Sequence, residues 1–157
     1  MTVTFKKCNG DIFESSAEAI VNAVNCVGVM GAGLAAAFKK RYPDNFKQYK
    51  LACDEGYMRL GKICAVEDIT QDHRYIINFP TKGHWKNPST MTMVEDGLDD
   101  LLQFLKNNSF DEIKSIAIPA LGCGLGGLSW PQVEKVIVSI LSEFNLYDIE
   151  IELYPPH

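Results

Sequence analysis

Two glycine-rich stretches are the residues most directly suited to holding a ligand. Gly28-Val29-Met30-Gly31-Ala32-Gly33 and Gly122-Cys123-Gly124-Leu125-Gly126-Gly127 each lie between an apolar run and a helical pattern. Glycine lets the backbone approach a ligand closely and reach positive φ. A helix that starts just beyond offers free N–H groups and the positive end of its dipole. Each stretch is therefore a candidate anion cradle, and two of them suit a diphosphate. A tight turn is the competing reading of any one such loop, and two loops in the same context weaken it. Gly122, Gly124 and Gly127 also fit the dinucleotide pattern G-x-G-x-x-G. The context fails, because only one strand follows and Asp148 precedes that strand instead of ending it. No G-x-x-x-x-G-K-[ST] run occurs, which excludes a P-loop.

These loops need strands and helices to aim them. Thr2–Phe5 alternates as a short strand, and the apolar run Ala19–Val24, which carries asparagine, reads as a buried one. Leu34–Arg41 is helical and stops before Pro43, and Asp44–Glu55 is a second helix closed by Gly56. Lys62–Ile69 and Arg74–Phe79 are strands whose short polar link, Thr70–His73, suits a hairpin. Pro80–Thr90 is a loop rich in Lys, His, Trp and Pro. Leu98, Leu101, Leu102 and Leu105 recur at helical spacing and make Met91–Lys106 a helix. Lys114–Ile118 is a strand, Trp130–Phe144 a helix with Pro131 in its first turn, and Ile149–Leu153 a last strand. Strands separated by helices need crossovers, so the pattern predicts a mainly parallel sheet with helices on both faces. The hairpin makes that sheet mixed. In either glycine loop the ligand would settle at the carboxyl ends of the strands.

The 157 residues are 46% hydrophobic and 22% charged, which fits one globular domain over 1–157. A net charge of -5 argues against a general nucleic-acid binder, so any contact with DNA or RNA must be local. The five cysteines form no C-x-x-C pair, which points away from a disulfide framework or a metal site and toward a reducing compartment. Met1–Asp11 lacks the apolar run of a signal peptide, and no stretch is long enough to span a membrane, so the cytoplasm is expected. Lys39, Lys40, Arg41, Lys47 and Lys50 form one basic run, read as a solvated helix face.

Several motifs resemble macrodomains in order and spacing over nearly the whole chain. They are Asn9-Gly10-Asp11-Ile12-Phe13, Ala19-Ile20-Val21-Asn22-Ala23-Val24-Asn25, the first glycine loop with Leu34 and Ala35, and Ile118-Pro119-Ala120-Leu121 followed by the second glycine loop and Leu128. Asn78-Phe79-Pro80-Thr81-Lys82 and Gly126-Gly127-Leu128-Ser129-Trp130 are most similar to the antitoxin macrodomains of the DarG group, which remove ADP-ribose from thymidine in DNA. The resemblance implies a three-layer α/β/α fold with no metal and no cofactor, and ADP-ribose as ligand and product. It implies ADP-ribosylated DNA or protein as substrate, an ADP-ribosyltransferase toxin as partner, and a monomer. Residue by residue, it implies that Asp11 accepts the adenine amino group, with Ile12 beside it, and that Asn25 holds the distal ribose. Gly31, Ala32, Gly33 and Leu34 face the phosphates and distal ribose. Pro119, Leu121, Gly122, Cys123, Gly124, Leu125 and Gly126 form the diphosphate wall, chiefly through backbone N–H groups. Lys82, with Asn25, is the implied catalytic centre, and Thr81, His84 and Trp85 the substrate loop. A related protein glycohydrolase carries a catalytic aspartate where this chain has Gly126, and that departure favours the DNA-directed subgroup.

Cleavage at ribose develops positive charge on the anomeric carbon and negative charge on the leaving group. Glycosidases meet this with paired carboxylates, and the glycine loops contain no obvious Asp/Glu pair. A thymine or carboxylate leaving group is delocalised. Lys82 can stabilise it, protonate it, or attack an opened sugar as an amine. The amine roles need a depressed pKa, from desolvation or a neighbouring cation such as Lys86. His84 orders the loop, and Trp85 either covers it or stacks on a base. For Cys123 the backbone matters more than the thiol. Hydrolysis of ADP-ribosyl-glutamate or O-acetyl-ADP-ribose, and reading without cleavage, stay open.

Overall fold

In a computed structural model that describes residues 2–108 and 112–156, the strands join into one six-stranded sheet. They are β1 (Val3–Lys7), β2 (Ala19–Val24), β3 (Cys64–Asp68), β4 (Arg74–Pro80), β5 (Ser115–Ile118) and β6 (Ile149–Leu153). Their order is β1-β6-β5-β2-β4-β3, parallel throughout except for the antiparallel β3–β4 hairpin. The helices are α1 (Gly33–Arg41), α2 (Pro43–Asp54), α3 (Met91–Asn107) and α4 (Trp130–Leu141). The mixed, mainly parallel sheet with helices on both faces is the expected architecture.

Side-chain alternation along a strand sorts the core into two halves. Val21, Ile77, Phe79, Ile116 and Ile118 point to one face, where they meet Leu98, Leu101 and Leu105 of α3 and Val133, Ile137 and Leu141 of α4. Ile20, Val24, Ile76 and Ala117 point to the other face, against Phe38 of α1, Tyr42 between the helices and Tyr49 of α2. α3 lies close on the sheet at Gly97, where a Cβ would overlap the Phe79 ring. That contact accounts for a residue that weakens a helix interior.

Several boundaries differ from the sequence reading, among them that of β3, which spans Cys64–Asp68 instead of Lys62–Ile69. β1 runs on to Lys7, because Lys6 and Lys7 pair with Glu152 and Leu153 at a sheet edge where charged residues are solvated. Their polarity hides the strand. A short 3-10 turn, Ile12–Glu14, goes unread; it forms because the Asp11 carboxylate accepts the Phe13 N–H at 2.9 Å. α4 ends at Leu141, three residues before Phe144. Met1, where the reading of the N-terminus begins, lies outside the described residues. Among the described residues no helix is long and apolar enough to cross a membrane.

Candidate functional site

Five parallel strands put their carboxyl ends on one edge of the sheet, which gathers the loops that follow β1, β2, β4 and β5. Those loops carry Asp11, the first glycine stretch, Lys82 and the second glycine stretch respectively.

The loop after β2 is organised by Asn25, which is buried. Its Nδ2 donates to the Val29 carbonyl at 2.8 Å. Its Oδ1 accepts the N–H groups of Val27 at 3.1 Å and Val29 at 3.4 Å. Gly28, at φ +85, makes the turn between them, and its Cβ position faces α2 at Lys50 and Cys53. The loop ends at Ala32, the N-cap of α1, which lacks a side-chain hydrogen-bond acceptor. The first amides of α1, from Gly33 and Leu34 onward, are thus left for an outside acceptor. Gly31, Ala32 and Gly33 are exposed there, and Gly33 takes φ +55.

Lys82 lies opposite Asn25. The Thr81 N–H donates to the Val24 carbonyl at 2.9 Å, and the Cys26 N–H donates to the Gly83 carbonyl at 3.1 Å. Two backbone bonds thus bracket Lys82 across from the loop of β2. Thr81 is buried and Lys82 half-buried, and no carboxylate among the described residues pairs with Lys82. Beyond it His84 and Trp85 stack with ring centroids 5.1 Å apart. The His84 Nδ1 accepts the Lys86 N–H at 3.1 Å within the same loop. The Lys86 Nζ sits 5.1 Å from the Trp85 ring centroid. Trp85 is 50% exposed, so it does not close over the loop as core.

The loop after β5 spends part of its backbone on its own turn. Leu121 and Cys123 donate their N–H groups to Pro119 and Ala120, and Leu128 donates to Gly122 at 2.9 Å. Leu121 and Pro119 are buried below the loop. Among the described residues the amides of Gly122, Gly124, Leu125 and Gly126 have no protein acceptor, unlike that of Cys123, and Gly124 and Leu125 are exposed. The Cys123 thiol is pushed up by burial and stays protonated, which leaves it a poor nucleophile. Gly126 admits no side chain, since a Cβ would lie 2.5 Å from both the Gly122 carbonyl oxygen and the Ser89 Oγ.

Asp11 follows β1, at the opposite end of the strand order from the β3–β4 hairpin. Its carboxylate is exposed and caps the 3-10 turn through one oxygen. Ile12 is buried in the same cluster as Met30 and Phe38, and the Phe13 and Phe38 rings are 4.7 Å apart. This packing seats the Asp11 turn beside α1.

The structure adds two residues with no signal in the motifs. Tyr49, fully buried in α2, places its hydroxyl 2.8 Å from the Asn25 Oδ1. Ser89, also buried, donates its N–H to the Gly126 carbonyl at 3.0 Å and so ties the lysine loop to the second glycine loop. A tyrosine among charged helix residues and a serine before a helix cap carry no spacing pattern of their own.

Known proteins share this fold. The chain matches the family model of the Macro domain over residues 21–137, from β2 into α4. It is 44% identical over 149 residues to a DNA ADP-ribosyl glycohydrolase of Mycobacterium tuberculosis, covering 94% of this chain and 41% of that protein. The chain thus spans well under half the length of that relative. The macrodomain of Mycobacterium tuberculosis DarG superposes with a TM-score of 0.91 at 42% identity, over 98% of this chain and 99% of that one. Thermosipho africanus DarTG in complex with ADP-ribose matches with a TM-score of 0.83 at 34% identity, over 96% of this chain and 42% of that one.

Proposed function

Since this chain belongs to the macrodomain family, we propose that it binds ADP-ribose across the two glycine loops and hydrolyses the bond that joins it to thymidine in DNA. The observation that carries this reading is the Lys82 loop, hydrogen-bonded to the end of β2 opposite Asn25 and to Gly126 beside the free amides. A diphosphate held by those amides and the start of α1 leaves the distal ribose between Asn25 and Lys82. The Asp11 turn takes the adenine end. Lys82 then works without a carboxylate partner, which suits a leaving group already able to carry charge. The exposed Trp85, beside His84, offers a ring face for a base next to the modified one, a contact worth roughly 1–3 kcal/mol in single-strand binders.

Two relatives support the substrate. The Mycobacterium tuberculosis protein is named a DNA ADP-ribosyl glycohydrolase, and a Thermosipho africanus protein, 32% identical over 173 residues, is named a fusion of DNA ADP-ribosyl transferase and DNA ADP-ribosyl glycohydrolase. An ADP-ribosyltransferase that modifies DNA is accordingly the proposed source of the substrate. The test is to incubate the chain with ADP-ribosylated DNA and with protein ADP-ribosylated on acidic side chains, and to measure free ADP-ribose. Release from DNA is the expected result. Release from protein alone would move the substrate to the acidic side chains, and release from neither would leave a binding module.

A further inference from the structure

We propose that Tyr49 is a positioning residue of this site, one that fixes the Asn25 carboxamide so that the group it has left for a ligand is an N–H donor. The Tyr49 hydroxyl lies 2.8 Å from the Asn25 Oδ1 and 2.8 Å from the Asn25 backbone carbonyl. The Oδ1 also receives the N–H groups of Val27 at 3.1 Å and Val29 at 3.4 Å. The single Tyr49 proton is shared between the Oδ1 and the backbone carbonyl oxygen, and together with the two backbone N–H groups it leaves the Oδ1, with its two lone pairs, no further acceptor capacity. The Nδ2 gives one hydrogen to the Val29 carbonyl at 2.8 Å, and its second hydrogen has no partner among the described residues. Turning the amide over would set NH2 against two backbone N–H groups and an oxygen against the Val29 carbonyl. Buried groups left unpaired in that way are costly.

Tyr49 is suited to hold this choice. It is wholly buried in the cluster of Phe38, Tyr42 and Ile76, on the inner side of α2. Burial, reinforced by the neighbouring Cys53, pushes the phenol above its ordinary range, so the hydroxyl keeps its proton. The consequence is a specificity rule: Asn25 recognises an acceptor oxygen on its ligand. Taking that oxygen to belong to the distal ribose rests on the proposed function. The amide orientation itself does not.

The experiment has a ligand-free arm and a ligand arm, both on the full chain. In the 15N-labelled protein the Asn25 side-chain NH2 should give two distinct signals, one of them slow to exchange. Tyr49→Phe, which keeps the ring, should shift that pair and speed its exchange while the α2 backbone amides hold. By calorimetry Tyr49→Phe should bind ADP-ribose roughly fivefold more weakly, the effect of one hydrogen bond. It should have no further effect in an Asn25→Ala background. Asn25→Asp, isosteric but lacking the donor, should bind weakly at neutral pH and recover only in part as acid restores a single O–H, for which the Val29 carbonyl and the ligand compete. Unchanged Asn25 signals in Tyr49→Phe, or an equal loss of affinity in the Asn25→Ala background, would overturn the proposal. Failure of the wild type to bind ADP-ribose would defeat the functional reading, and the NH2 signals would still decide the role of Tyr49.

Discussion

The Ser89 N–H donates to the Gly126 carbonyl at 3.0 Å, so the segment that carries Lys82 and the loop that offers free amides are joined by backbone. The other end of the same segment is joined to the first glycine loop, through the Cys26 N–H and the Gly83 carbonyl. Lys82 is therefore held from both sides by the two loops proposed to grip the diphosphate. A shift in the first loop reaches Lys82 through the adjacent Gly83, and one in the second through the segment that runs back from Ser89. This matters because catalysis requires the reacting group to stay within a fraction of an ångström of its place.

Gly126 should tolerate no larger residue. A Cβ there would lie 2.5 Å from the Gly122 carbonyl oxygen, which is backbone and cannot swing aside. Gly126→Asp is expected to cost about 1–3 kcal/mol of stability, as overpacking does, and to weaken ADP-ribose binding. Thermal unfolding and calorimetry check both. An aspartate variant with wild-type stability and faster turnover would show that the loop rearranges freely, contrary to this geometry.

Asp11 has two roles that can be separated. Its carboxylate caps the Ile12–Glu14 turn and, in the proposed complex, accepts from the adenine amino group. Asp11→Ala should lose both, with ADP-ribose binding weaker by about 1–3 kcal/mol from the lost charged hydrogen bond. Asp11→Asn keeps a capping oxygen, so it should retain the stability that Ala loses while still binding more weakly. Calorimetry with melting curves for both variants distinguishes them. Equal binding by all three proteins would remove Asp11 from the adenine site.

Much of this site is legible because its signals are local. Glycines in both loops, an apolar run before each and a helix after each place the cradles without any tertiary information, and leucine spacing fixes α3. The loop lysine becomes visible only through the motif Asn78–Lys82, since its distance from Asn25 in sequence says nothing of adjacency. β4 must pair with β2 to bring the two together. Tyr49 and Ser89 are illegible for the same reason in stronger form. Tyr49 sits between Gln48 and Lys50 on a helix read as a solvated basic face, and its burial depends on α2 packing over Ile20 and Ile76. The Asp11 turn is hidden by its brevity, being three residues long.

Stability should fall on the alkaline side. Burial pushes the Cys26 thiol from 9.0 up to about 11, with Cys53 adding to it, and burial raises Cys53 and Cys64 as well. Above pH 9 the unfolded chain gives up these protons while the folded chain retains them. The folded state then binds more protons, so unfolding becomes easier as pH rises. The contribution is fully present below pH 9 and is lost as the pH passes toward about 11. Urea midpoints should be flat through neutral pH and drop over that window, with a smaller drop in Cys26→Ser. A midpoint that does not move there would mean these thiols ionise as readily folded as unfolded.

Lys82 decides between an enzyme and a binding module. Its neighbours, not Lys82 itself, make the backbone contacts that position the loop, so removing the side chain should leave the scaffold and the diphosphate cradle intact. Interactions made only as the bond breaks raise the rate without tightening ligand binding. Lys82→Ala should therefore abolish release of ADP-ribose from modified DNA and keep most of the affinity for ADP-ribose. Lys82→Arg retains the charge but gives up the amine nucleophile and any ready proton exchange. Turnover in the arginine variant would assign Lys82 to stabilising the departing base as a fixed charge. Its loss would assign the step to proton transfer or to attack on an opened sugar, and borohydride trapping would separate these, since a Schiff base between Lys82 and the sugar reduces to a stable adduct. Single-turnover release assays on the three proteins, with ADP-ribose affinity measured alongside, supply the comparison. Equal rates for wild type and Lys82→Ala would place Lys82 outside the chemistry and leave the paired glycine loops as a site that holds ADP-ribose without cutting it free.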